Sequence, residues 1–263
     1  MNPMKTLCKW LASVSILAWS SIGMADDHSP AESANLPFAA QIQLCNLNDG
    51  KTMADYDRMA NDYFKWSEKN DVEVMFVRHT PLFTSANASN PGYDFIEYLI
   101  SDHETSGSSW SKWMTTKDGQ KLNERWQDIA TCYVKMGVLY VRYSDQEANA
   151  EDDDRIVTMD WCTRREGVSW DQLRAKHDQI EASFPEGVEN IVWAIMSPNV
   201  GAADAPGEFA HINVFPDMNA FMARQKWLSH EEGWKVRDDY TSSYASCNGD
   251  SAFIEQVLHR PAQ

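Results

Sequence analysis

Residues 42–66 read IQLCNLNDGKTMADYDRMANDYFKW, and residues 157–184 read VTMDWCTRREGVSWDQLRAKHDQIEASF. Each opens on a short apolar segment ending near a cysteine (Cys45, Cys162) and turns at a glycine (Gly50, Gly167). A hydroxyl residue follows (Thr52, Ser169), with an acid two or three positions on and then a helical pattern. Two stretches this alike raise the question of an internal repeat, and a repeat decides the fold.

The likeness extends outward from both stretches. VEVMFVRHTPLF from Val72 parallels ENIVWAIMSPNV from Glu189, and GYDFIEYLISD from Gly92 parallels GEFAHINVFPD from Gly207. WMTTKDGQK from Trp113 parallels WLSHEEGWK from Trp227, and IATCYVK parallels YASCNGD. The cysteines keep the register, because Cys45 to Cys132 spans 87 residues and Cys162 to Cys247 spans 85. Each copy reads strand, helix, strand, strand, helix, strand. In the first copy, strands are predicted at 42–47, 72–77, 93–100 and 137–143. Its helices are a 53–67 helix with apolar residues at three- and four-residue spacings and a 109–128 region interrupted near Gly119. In the second copy, strands fall at 156–161, 191–196, 209–215 and 253–258, with helices over 170–184 and within 218–240.

A βαββαβ order folds as a four-stranded antiparallel sheet with both helices on one face. The other face is bare, and the strands carry Phe76, Phe95, Tyr98, Trp193, Phe209 and Phe215, which need cover. Pressing two sheets together, or rolling them into one closed barrel, supplies it. The acidic run 145–154 (DQEANAEDDD) is the linker, where self-repulsion resists packing into a core. The first module then occupies 38–144 and the second 155–263. A fused pair of this kind resembles the dimeric α+β barrel superfamily, over roughly residues 38–259. The resemblance implies an α+β fold of two tandem ferredoxin-like modules forming an intramolecular dimeric α+β barrel. It also implies a cavity between or inside the sheets. Members of that superfamily include metal- and flavin-free monooxygenases, haem-degrading and haem-binding enzymes, dehydratases, polyketide cyclases and binding proteins, so fold alone does not choose an activity.

Residues 1–25 have a basic end (Lys5, Lys9), a short apolar stretch and a small-x-small exit at Gly23-Met24-Ala25, the pattern of a secretory signal. Residues 26–37 read as a disordered leader. Removing the signal takes away two basic residues and no acid, so the net charge of −16 becomes −18. That charge disfavours nucleic acid and anionic membrane surfaces as partners. The expected product is a periplasmic or secreted protein without membrane insertion, a monomer or weak homo-oligomer whose partner is a small molecule.

Export favours disulfides, and the repeat register selects Cys45–Cys132 and Cys162–Cys247 from the three connectivities open to four cysteines. There is no CxxC or zinc spacing, and no metal site is expected. Alternation places Arg78 on a strand face with Phe76, where it would meet an anionic ligand, and His79 on the opposite face. His211 shares a face with Phe209 and Asn213, and its counterpart in the first copy is Glu97. Facing each other across a pseudo-symmetric cavity, His211 and Glu97 would form a general acid/base pair. Arg78, His79 and Asn213 would hold the ligand. No cofactor is expected, with haem on His211 as the exception if the cavity is wide enough. The first functional expectation is binding of a small, partly apolar molecule between the modules. A cofactor-poor monooxygenase or lyase, and a structural or protein-interaction module, are the alternatives. Tryptophans 110, 113, 126, 227 and 234 are expected to pack helix on sheet.

Overall fold

The computed structural model describes residues 37–84, 92–183 and 190–261. The expected signal and nearly all of the expected leader, at 1–36, lie outside the described residues. The first module contains β1 (Pro37–Leu47), α1 (Met53–Lys69), β2 (Met75–Phe83), β3 (Phe95–Ser101), α2 (His103–Thr115), α3 (Lys117–Ile129) and β4 (Ala130–Ser144). A six-residue helix, α4 (Gln146–Glu151), bridges to the second module. That module runs β5 (Asp154–Arg164), α5 (Trp170–Glu181), β6 (Val192–Pro198), β7 (Phe209–Phe215), α6 (Met218–His230), α7 (Gly233–Ser243), β8 (Ala245–Cys247) and β9 (Ser251–His259).

Both modules repeat one sheet order. β4-β1-β3-β2 in the first is matched by β9-β5-β7-β6 in the second, and all the pairings are antiparallel. β2 then pairs with β9, and β4 with β6, which closes eight strands into a barrel. β8 is a short companion of β9 on the far end of β5. The chain is thus a tandem α+β barrel, with the helices of each module outside it.

Local chemistry sets the element ends. Thr52 caps α1 through Asp55, and Ser169 caps α5 through Gln172, each in a reciprocal capping box. The second helical region breaks at Thr116, not at Gly119, because the Thr116 hydroxyl accepts from the Gly119 amide and starts a new helix. Strand β4 is twice the predicted length, since residues 130–140 pair with β1 and residues 137–144 with β6.

Five of the six strand aromatics named from the sequence face the other way from that expectation, Tyr98 being the exception. The barrel interior is filled chiefly by Ala40, Ile42, Val77, Ile96, Leu139, Val157, Ala194, Met196 and Ile212, with Tyr98 and Phe253 as its buried rings. Phe76, Phe95, Trp193, Phe209 and Phe215 instead point outward under the helices. An eight-stranded barrel has room only for side chains of modest size, whereas the sheet–helix layers accommodate rings. The acidic linker also departs from expectation. Ala148 of α4 packs against the barrel interior, and Asn149 accepts from Arg155 at 2.5 Å.

The two seams between modules differ. At the β2–β9 seam, His79 Nε2 lies 2.7 Å from Glu255, and Arg155 reaches the same carboxylate at 2.5 Å from the next strand, all three buried inside the barrel. Burial works against the Glu255 charge, yet the hydrogen bond and charge of His79, with Arg155, hold its pKa below the ordinary value. At the β4–β6 seam the interior contact is apolar, with Leu139 opposite Met196.

Candidate functional site

Among the described residues, a cavity lies under the helices of each module, outside the barrel. The larger, about 320 Å3, is in the second module, between the outer faces of β5, β6 and β7 and helices α5, α6 and α7. Trp193, Phe215, Trp227 and Leu228 supply apolar walls, and Asp160, His211, Arg224, Arg237, Tyr240 and Asp250 converge on the same space. Volume and lining suit a small molecule with a few polar groups.

Asp160 reaches this cavity through strand alternation. Val157 and Met159 face the barrel, so Thr158, Asp160 and Cys162 face the helices. The Gly249 amide donates to Asp160 Oδ1 at 2.8 Å. Burial, with the nearby Asp250 charge, raises the Asp160 pKa to about 6 against the pull of Gly249 and Arg237. Asp250 is raised as well, by burial, with Arg224 and Arg237 pulling it down. Burial lowers Arg224 to about 10, and its guanidinium stacks on Trp227 at 4.6 Å. A carboxyl poised near 6 beside a second carboxylate and two guanidiniums can take and return a proton near neutral pH.

Behind the carboxylates runs a directed chain of hydrogen bonds. The Trp193 indole donates to His211 Nδ1 at 3.2 Å, and an indole can only donate. His211 therefore carries its proton on Nε2, which donates to Tyr240 Oη at 2.9 Å. The Tyr240 hydroxyl is then left to donate to His177 Nε2, also at 2.9 Å. Burial keeps both imidazoles neutral. His177 is lowered to about 3 by burial and Arg142, and His211 falls well below its ordinary value through burial, His177 and Arg224.

The corresponding place in the first module is closed. Glu97 is fully buried, bonded to Arg78 Nε at 2.9 Å, and accepts from Tyr56 Oη at 2.6 Å. Arg78 also bonds Asp57 at 2.6 Å. Burial raises Glu97 to about 7 despite Arg78 and Tyr56.

Of the residues singled out from the sequence, His211 and Asn213 do line the larger cavity. Glu97 and His211 are not brought together. Their equivalence in the repeat puts each on the helix-facing side of its own sheet, with the barrel between them. Arg78 is buried and paired with Glu97 and Asp57 and does not line the larger cavity, and His79 sits inside the barrel on Glu255. The expected cavity between or inside the sheets corresponds to cavities outside them. Both disulfides are formed, each between directly opposed residues of neighbouring strands, with Cα atoms 4.1 and 4.0 Å apart. Trp126 and Trp227 are buried as expected, whereas Trp234 is half exposed. The sequence reading missed Asp160, Asp250, Arg224, Arg237, Tyr240 and His177. The available signal was Asp160 itself, an acid in a strand row shared with a buried cysteine.

Haem requires a free axial side chain. Both ring nitrogens of His211 are engaged, so it presents no open donor to the cavity, and His177 is buried with its Nε2 engaged. Asp160, Cys162 and Cys247 place ligand atoms within 4.8 Å of one another, but the disulfide uses both sulfurs and leaves one carboxylate. These residues, as arranged, do not fit haem. Among the described residues, no helix is long and apolar enough to cross a membrane.

This fold defines a class, the α+β barrels in their single-chain tandem form. Among solved structures, a provisionally assigned monooxygenase from Fusobacterium nucleatum subsp. nucleatum superposes with a TM-score of 0.51 at 11% identity, covering 87% of this chain and 95% of its own. A provisionally assigned chlorite dismutase superposes at 0.50 and 11% identity, covering 84% and 96%. At such identity the likeness concerns the fold alone. No family model matches the chain, and no curated protein does.

Proposed function

We propose that this is an exported, cofactor-poor enzyme that moves a proton on a small, partly apolar molecule held in the second-module cavity. The observation that carries this reading is Asp160, a carboxyl tuned to about 6 that opens on the same space as Asp250, Arg224, Arg237 and the His211–Tyr240 chain. Asp160 acts as the general base. Arg224 and Arg237 hold a carbonyl or carboxylate oxygen of the substrate and stabilise the charge that develops there. Trp193, Trp227 and Phe215 cover the apolar part and exclude water. His211, fixed as its Nε2–H tautomer, orients Tyr240 at the cavity wall. Such proton abstraction is the first step both of a lyase and of a metal- and flavin-free monooxygenase, in which the resulting carbanion reacts with oxygen.

The test is deuterium wash-in and oxygen uptake by the purified full chain on small enolisable carboxylic acids. Wash-in that rises as pH passes through about 6 is expected. Replacing Asp160 by Asn should remove roughly 100-fold or more of it. Oxygen uptake separates a monooxygenase from a lyase. Unchanged turnover in Asp160→Asn would sink the assignment, as would a Soret band in the purified protein.

A further inference from the structure

The first module holds a second cavity, and its chemistry is unlike that of the first. About 140 Å3 of space lies between the outer face of the sheet and helices α1, α2 and α3. Trp66, Trp110, Trp113 and Trp126 wall it, together with Tyr63. These rings brace one another, with Trp66 edge-on to Trp113 at 5.2 Å and stacked on Tyr63 at 5.8 Å. The polar lining is amide and hydroxyl, including Gln41 and Gln43 from β1 and Asn123 and Gln127 from α3. Among the described residues, no charged side chain lines it.

Three features narrow the ligand. An ion placed here would give up part of its water with no opposite charge to replace it, which favours a neutral ligand. A dry cavity near 150 Å3 accommodates a single benzene ring, which sets the size. Amides donate and accept equally, and Gln43, only 4% exposed, stands where a ligand hydroxyl or N–H would lie against β1. We infer that this cavity is a binding site for a small neutral aromatic molecule bearing one or two hydrogen-bonding groups, of the phenol or indole class. Its position in the other module makes it independent of the proton-transfer site.

Calorimetric titration of the full chain with phenol, indole and benzoate tests the site. Phenol or indole should bind at least tenfold more tightly than benzoate, which has similar size but carries a charge. Gln43→Leu should weaken phenol about tenfold, the worth of one hydrogen bond, while leaving benzene unchanged. Ser109→Leu, which fills the space from α2, should remove binding of both. Circular dichroism and a thermal melt confirm that each variant is folded, and the one that is folded decides. Arg224→Gln in the second module should leave phenol affinity within twofold. Equal binding of benzoate, phenol affinity indifferent to both first-module variants, or a tenfold loss in Arg224→Gln would each overturn the inference.

Discussion

The two modules bury a polar side chain at the same place and solve the resulting problem differently. On β3 the residue is Glu97, and on β7 it is His211; Phe95 and Phe209 precede them by two positions in the same outward row. Directly across the neighbouring strand stand Arg78 in one module and Ile195 in the other. The first module neutralises its carboxylate with that arginine and with Tyr56, leaving only an uncharged cavity to one side. The second has an aliphatic residue there, keeps its imidazole neutral by burial while Trp193 and Tyr240 fix its tautomer, and opens a charged cavity. The repeat preserves the scaffold, while one register position decides whether the helix–sheet layer is sealed by an ion pair or left open to chemistry.

The largest effects should fall equally on both modules. The disulfides close loops of similar length, with separations of 87 and 85. Replacing either pair by alanines should cost about 4–5 kcal/mol by loop entropy. Denaturant titration of the two double variants should give matching losses; a gap above about 2 kcal/mol would show that the modules are not equivalent scaffolds. The polar centres should separate them. Glu97→Ala leaves the buried Arg78 with Asp57 alone, at the layer's edge, and should cost about 3–5 kcal/mol. Tyr240→Phe breaks a neutral chain at its middle and should cost about 1–3 kcal/mol. If Tyr240→Phe costs as much as Glu97→Ala, the contrast between ionic and neutral centres fails.

Acid should act on the modules with opposite sign. Glu97 has a folded pKa near 7, above its ordinary 4.5. Its contribution is fully present below 4.5 and is lost as pH rises through 7. His177 is depressed to about 3 from 6.5, and His211 moves the same way, so their contribution is present above 6.5 and lost as pH falls. Asp160, raised to about 6, and Asp250 offset part of that loss. An Asp160→Asn background removes the Asp160 part of that offset. Hydrogen exchange corrected for intrinsic rates, compared between β3 and β7 from pH 7 to 4.5, should show β3 gaining protection while β7 loses it. Parallel changes in the two strands would refute the assignment of neutral imidazoles.

Much of this fold was legible because the repeat is written in local signals: a cysteine at each first strand, a glycine turn, a hydroxyl cap and strand alternation. Alternation also put His211 and Asn213 on one face and Arg78 and His79 on opposite faces. It could not say which face was the barrel's inside. Aromatic rows such as Phe209-His211-Asn213 looked like the bare face needing cover, yet the limited barrel interior sends them under the helices. That inversion is why Glu97 and His211 were expected to meet across a cavity. Arg224, Arg237 and Tyr240 come from α6 and α7, whose approach to Asp160 depends on helix placement that one sequence does not display.

The finest test of the module comparison lies at the helix caps. Thr52 and Ser169 occupy equivalent positions and make the same reciprocal box, but the partner is Asp55 in α1 and Gln172 in α5. Thr52→Ala and Ser169→Ala should each cost about 1 kcal/mol at pH 7. Only the first cap carries a titrating group. The Thr52 side-chain and backbone hydrogen bonds hold Asp55 below its ordinary 3.8, so its contribution is present above that value and lost as pH falls through the folded pKa. The cost of Thr52→Ala should therefore shrink in acid below about pH 4, whereas Ser169→Ala should be indifferent, because Gln172 does not ionise. Equal pH dependence in the two variants would mean that the boxes are held by their hydroxyls alone, and that the charge in the first adds nothing to the shared scaffold.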